Sequence, residues 1–143
     1  MLKAIDSSAS VPAASAQAVP TITDMQTDLN HLENGDIDAS NNPLPGIDGL
    51  NRELYNVRVL GHAPNLAAMN ADVANINNFI SKFLSDASAG NFSSIQSTLQ
   101  NVLMPAMQQI QGDLQTGNFS AAFEGVYDLS STTDNIQRMI SNP

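Results

Sequence analysis

Asp24, Asp28 and His31 come nearest to a chemical constellation in this chain. At positions i, i+4 and i+7 they share one helical face, and carboxylate plus imidazole at that spacing can ligate a metal. A metal-binding bundle needs more: carboxylates from several helices and a second carboxylate-x-x-His. The other histidine, His62, sits in Gly61-His62-Ala63-Pro64 without such a neighbour. The trio is therefore expected to be a solvated acidic face, and no metal is assigned. Glu124 and Asp128, one turn apart beside Tyr127, read the same way. With two histidines and no cysteine, a nucleophilic triad and thiolate chemistry lack material. Gly-rich phosphate loops, a Gly-x-Ser-x-Gly elbow and His-Glu-x-x-His are absent from the sequence, and nothing marks out a haem ligand. No cofactor and no enzymatic activity are expected.

Two further sites depend on compartment. Asn91-Phe92-Ser93 and Asn118-Phe119-Ser120 match the Asn-x-Ser acceptor of N-glycosylation. The same Asn and Ser residues suit helix caps, and capping alone accounts for them.

Composition narrows the partners. The 143 residues carry 5 Lys and Arg against 14 Asp and Glu, a net charge of −9. Such a field repels phosphate backbones and anionic head groups, so nucleic acid is not expected. Only 13% of residues are charged, about half the usual share. Asn, Gln, Ser and Thr supply the polar surface instead, which suits a secreted or cell-wall protein. No signal-peptide pattern is visible, and no apolar run approaches the roughly 18 residues of a membrane span.

A recurring punctuation mark sets the elements that hold these residues. Gly35, Gly61, Gly90 and Gly117 fall 26, 29 and 27 residues apart, each near an Asn, Asp or His. Gly past a helix end adopts the left-handed conformation without a Cβ penalty, and the polar residue after it can cap the next helix. Between these marks run apolar stripes at spacings of 3 and 4. They are Ile22, Met25, Leu29, Leu32; Ile47, Leu50, Leu54, Val57; and Leu66, Met69, Val73, Ile76, Ile80, Phe83, Ala87. The fourth is Phe92, Ile95, Leu99, Val102, Ala106, Ile110, continuing to Leu114, and the fifth Phe119, Phe123, Val126, Leu129, Thr133, Ile136, Ile140. The pattern predicts an all-α, up-and-down antiparallel bundle of about five helices. Residues 36–46 read as a loop. Residues 1–20, small, polar and Pro-containing, read as a flexible arm ahead of a helical domain over 21–143.

Pro105 interrupts the fourth stripe, where it deletes a backbone hydrogen bond and bends or breaks the helix. A bend there is expected to open a gap beside Met104 and Met107. Phe79, Phe83, Phe123 and Tyr127 are the large side chains placed to line it, with the Tyr127 hydroxyl free for a ligand's polar end. Such a gap would suit an apolar small molecule such as a fatty acid.

The helices Ile22-Thr23-Asp24-Met25-Gln26-Thr27-Asp28-Leu29 and Ala71-Asp72-Val73-Ala74-Asn75-Ile76-Asn77-Asn78-Phe79-Ile80 give the chain a recognisable texture. Over residues 20 to 140 it resembles the fungal hydrophobic-surface-binding protein A family, which includes cell-wall mannoproteins. The resemblance carries no diagnostic motif and no residue role. It implies a secreted five-helix bundle that adsorbs to hydrophobic surfaces or holds fatty acids between helices. The expectation is thus a non-enzymatic binding protein. The alternatives are a self-assembling homo-oligomeric bundle and a carboxylate-based metal binder.

Overall fold

Each apolar stripe becomes a helix in the computed structural model, which describes residues 19–142. The arm expected at 1–20 therefore lies almost wholly outside the described residues. Helix α1 (Ile22–Asn34) starts from a capping box, in which Thr21 and Asp24 satisfy each other's backbone N–H groups. Helices α2 (Ile47–Arg58) and α3 (Leu66–Ala89) follow, the latter capped by the Asn65 side chain. The fourth rod has three parts: α4 (Ser93–Thr98), a π-helical turn (Leu99–Leu103) and α5 (Met104–Gln115). Helix α6 (Phe119–Ser141) starts from Asn118, whose side chain accepts from the Ala121 N–H.

The corner glycines sit where the pattern puts them. Gly35, Gly61 and Gly117 have positive φ, at 87, 73 and 77°. Gly90 ends α3 without it; the left-handed residue there is Asn91, at φ 60°. Gly90 is needed for space, because a Cβ would lie 2.7 Å from the Phe92 ring and 2.9 Å from the Pro20 carbonyl.

Five helical rods fill a four-sided cross-section. Helix α1 has 13 residues and α2 has 12, together about the length of the 24-residue α3. Asp28 and His31 of α1 face Lys82 and Phe79 of α3, whereas Glu53 of α2 meets Asp72. On α6, Gln137 pairs with Gln26 of α1, and Phe123 with Tyr55 of α2. Both registers run antiparallel, so α1 and α2 lie end to end along one edge. Residues 35–46 bulge out between them. They form a hairpin of β1 (Asp36–Ile37) and β2 (Pro43–Leu44), with Asp36 opposite Leu44. The loop expected at 36–46 thus holds two very short strands, closed by Asp38 Oδ1 accepting from the N–H groups of Ser40 and Asn42. Rods α3 and α6 each pack against both the α1–α2 line and the α4–α5 line, at opposite corners.

Sequence and structure part at the fourth rod. Its buried apolar residues are Ile95, Leu99, Leu103, Met107, Ile110 and Leu114, not Val102 and Ala106. Three successive spacings of four drift around an α-helix by about 40° each. The π turn absorbs the drift by under-winding the backbone, with the Met104 N–H donating to Leu99 O five residues back. It also accommodates the missing N–H of Pro105 in the first turn of α5. Helix α5 packs on α6, where Gly125 admits Ile110.

Candidate functional site

The six residues expected to line one interior gap are dispersed. Phe83 and Met107 are enclosed in the core. Met104 is 39% and Tyr127 68% exposed, so neither lines an interior space. Phe79 walls an acidic cleft, its ring 6.1 Å from that of His31. Phe123 is half-buried between α2 and α6, meeting Tyr55 edge-on at 6.5 Å. The cause is the π turn, whose under-wound register turns Met107 into the core.

What the structure does gather is an apolar surface at one end of the bundle. Tyr55, Val59, Leu60 and Leu66 are all exposed, as are Ala63, Pro64 and Ala67. The local backbone explains this. Helix α2 ends with the Val59 N–H on Tyr55 O, Gly61 turns with positive φ, and the His62 N–H returns to Asn56 O. The corner folds back on its own helix end and leaves its side chains outside. Val59 caps α2 one turn beyond Tyr55, and Phe123 and Tyr127 are one turn apart on α6, so the Tyr55–Phe123 contact joins the two faces. Exposed apolar residues concentrated in one stretch of chain are the usual material of an interaction site.

A second group of features was not legible as such: buried carboxylates. Asp28, expected to be solvated, is only 6% exposed, and Asp72 only 4%. Each has an Oδ2 that accepts no hydrogen bond from a nitrogen or hydroxyl donor. Asp28 lies in the wall of a 440 Å³ cleft between α1 and α3, with Asp24, His31, Asp36, Phe79, Lys82 and Asp86. Burial, then its hydrogen bond with Asp86, push the Asp28 carboxyl up to about 7. The hydrogen bond from Asp28 holds Asp86 below the usual carboxylate range, and Lys82 bridges to both. On α2, burial and then a hydrogen bond with Asp72 push Glu53 up to about 8. Glu53 lines a 220 Å³ cleft with His62 and Met69 at the α2–α3 corner. A sequence signal for these existed. Asp28, Asp72 and Asp113 each directly precede a stripe residue, Leu29, Val73 and Leu114, at the edge of the buried face. Among the described residues, no group of three His, Cys, Asp or Glu could hold a metal.

The two Asn-x-Ser sites also differ. Asn118 caps α6, whereas Asn91 is exposed and caps nothing, since Phe92 occupies the cap of α4. Capping therefore accounts for one of the pair. No helix among the described residues is long and apolar enough to cross a membrane. No protein-family model, no curated protein and no solved structure matches the chain.

Proposed function

We propose that this protein is a non-enzymatic, secreted binding protein that adsorbs to hydrophobic surfaces through its apolar end. The observation that carries this reading is the run of exposed apolar residues at Tyr55, Val59, Leu60 and Leu66. Exposed apolar side chains also occur at Val19, Ile22, Ile37, Val102 and Met104, but the stretch from Tyr55 to Leu66 holds the densest run of them. A net charge of −9 disfavours anionic lipid, which leaves uncharged interfaces as the partner. The resemblance to the hydrophobic-surface-binding family agrees with this and adds no residue-level support. In an extracellular setting Asn91 and Asn118, both exposed, are candidate glycan acceptors.

The test replaces Val59, Leu60 and Leu66 together by Ser. These side chains are exposed, so the melting temperature should hold. Partition onto alkyl-coated beads should fall by at least about tenfold, from the apolar area no longer removed from water. Salt should leave the wild-type adsorption unchanged, since it is not an ion-pair effect. Undiminished adsorption by the triple variant would refute the assignment.

A fatty-acid carrier is the second reading, and one cavity favours it. At the opposite end, 410 Å³ is lined by Phe92, Ile95 and Met139, with Asn91, Ser93, Ser94 and Asn142 at its polar side. Its lining combines apolar side chains with hydrogen-bonding ones, the two chemistries that an acyl chain and its carboxylate require. Fluorescent fatty-acid binding that Met139→Trp abolishes would favour it over adsorption.

A further inference from the structure

We infer that two carboxyl pairs, Asp28–Asp86 and Glu53–Asp72, each with one deeply buried member, share one proton apiece across a helix interface and fasten α1 and α2 to α3 in acid, releasing them as pH rises. The two places differ in which member is buried: Asp28 of α1 in the first, where Asp86 and Lys82 line the same cleft, and Asp72 of α3 in the second, against the half-buried Glu53 of α2. A carboxyl of the short helices meets a carboxyl of α3, Asp28 with Asp86 and Glu53 with Asp72. In each pair one member is nearly inaccessible to solvent and has an oxygen unaccounted for by any nitrogen or hydroxyl donor. Two carboxylates in contact cannot both be ionised cheaply, but one proton between them makes a strong O–H···O⁻ hydrogen bond. That bond accounts for the orphaned oxygens.

The charged surroundings do not relieve the pairs fully. Asp28 faces Asp86 and Lys82 of α3 and has Asp24 on its own helix, with His31 and Asp36 in the same cleft. Lys82 is largely exposed and leans on Asp86 more closely than on Asp28. Glu53 faces Asp72 of α3 and has Arg52 beside it, and His62 lines its cleft.

The signs follow from linkage. Asp28 and Glu53 are raised, to about 7 and about 8, so their stabilisation is complete below the ordinary carboxylate range. It is lost as pH climbs through those values. Asp86 is lowered, so its share is lost as pH falls below its ordinary value of 3.8. Stability should therefore peak in mild acid. Above it, both pairs become dianionic in a chain already strongly negative.

Thermal melting of the intact chain from pH 4 to 9 tests this. The melting temperature should be highest near pH 4 and fall by at least about 5 °C by pH 9, most of the fall lying between about pH 4 and 8. In the double variant Asp28→Asn with Glu53→Gln, the amide donates where the shared proton did, so the alkaline decline should largely vanish. A flat or rising wild-type profile, or an unchanged decline in the variant, would overturn the inference. Carbon-13 carboxyl NMR of the wild type gives a check that needs no variant. Two carboxyls titrating above about pH 6 are expected, and titration of every Asp and Glu below about pH 5 would overturn it.

Discussion

Gly35 and Gly117 look alike in sequence and should not behave alike. Both have positive φ, but a Cβ at Gly35 would lie 2.1 Å from the Leu44 carbonyl oxygen, whereas nothing lies within 4 Å at Gly117. Gly117→Ala should cost only the left-handed strain, about 1 kcal/mol. Gly35→Ala must also displace β2 and should cost at least about twice that. Urea denaturation of both variants checks the order, and equal costs would show that the hairpin base gives way easily. The corner glycines were legible because their need is local: a φ angle just past a helix end. Gly90 was legible as a position but not in its reason, since its crowding comes from Phe92 and Pro20. The buried carboxylates were harder still. Asp28 and Asp24 lie four residues apart on one helix, and only the packing of α3 separates a buried acid from an exposed one.

At the scale of elements, Pro105 invited a kink, and the structure answers with a π turn. The controlling feature is the run of four-residue spacings from Ile95 to Met107, all of whose members are buried. Proline fits that turn without creating it. Pro105→Ala should therefore keep the π turn and shift stability by less than about 1 kcal/mol, because the exposed ring packs little and the apolar register is unchanged. Amide chemical shifts around Leu99–Leu103 would check this; a wholesale change along α5 would instead make proline the cause. Four of the five stripes were readable almost residue by residue, apart from end positions such as Ile22 and Leu66, which are exposed. The fourth misled because Val102 and Ala106 satisfy a 3-4 rhythm that an under-wound backbone does not keep. The end-to-end placement of α1 and α2 was also hidden. Corner glycines announce that a helix stops, not whether its successor turns back or carries on along the same line.

For the whole molecule, the bundle class was legible from periodicity, whereas the candidate surfaces were not. The apolar end depends on which corner residues the fold leaves uncovered, and the acid pairs on which helices meet. The divided first edge has a consequence in time. From α3 onward, each rod docks on its chain neighbour, so those contacts close short loops and should form early. The α1–α2 line must also join α6 from the far end of the chain, as Gln26 does with Gln137. It consists of two helices near the length at which an isolated helix is marginal. This edge should assemble last and open first. Native-state hydrogen exchange should then show the amides of Met25–Leu32 and Leu50–Leu54 exchanging well before those of Val73–Phe83 and Val126–Ile136. Uniform protection across all four edges would mean that the molecule opens only as a whole. If the gradient is found, the everyday fluctuation of this protein is the lifting of one seam, which briefly bares the apolar sides of α3 and α6.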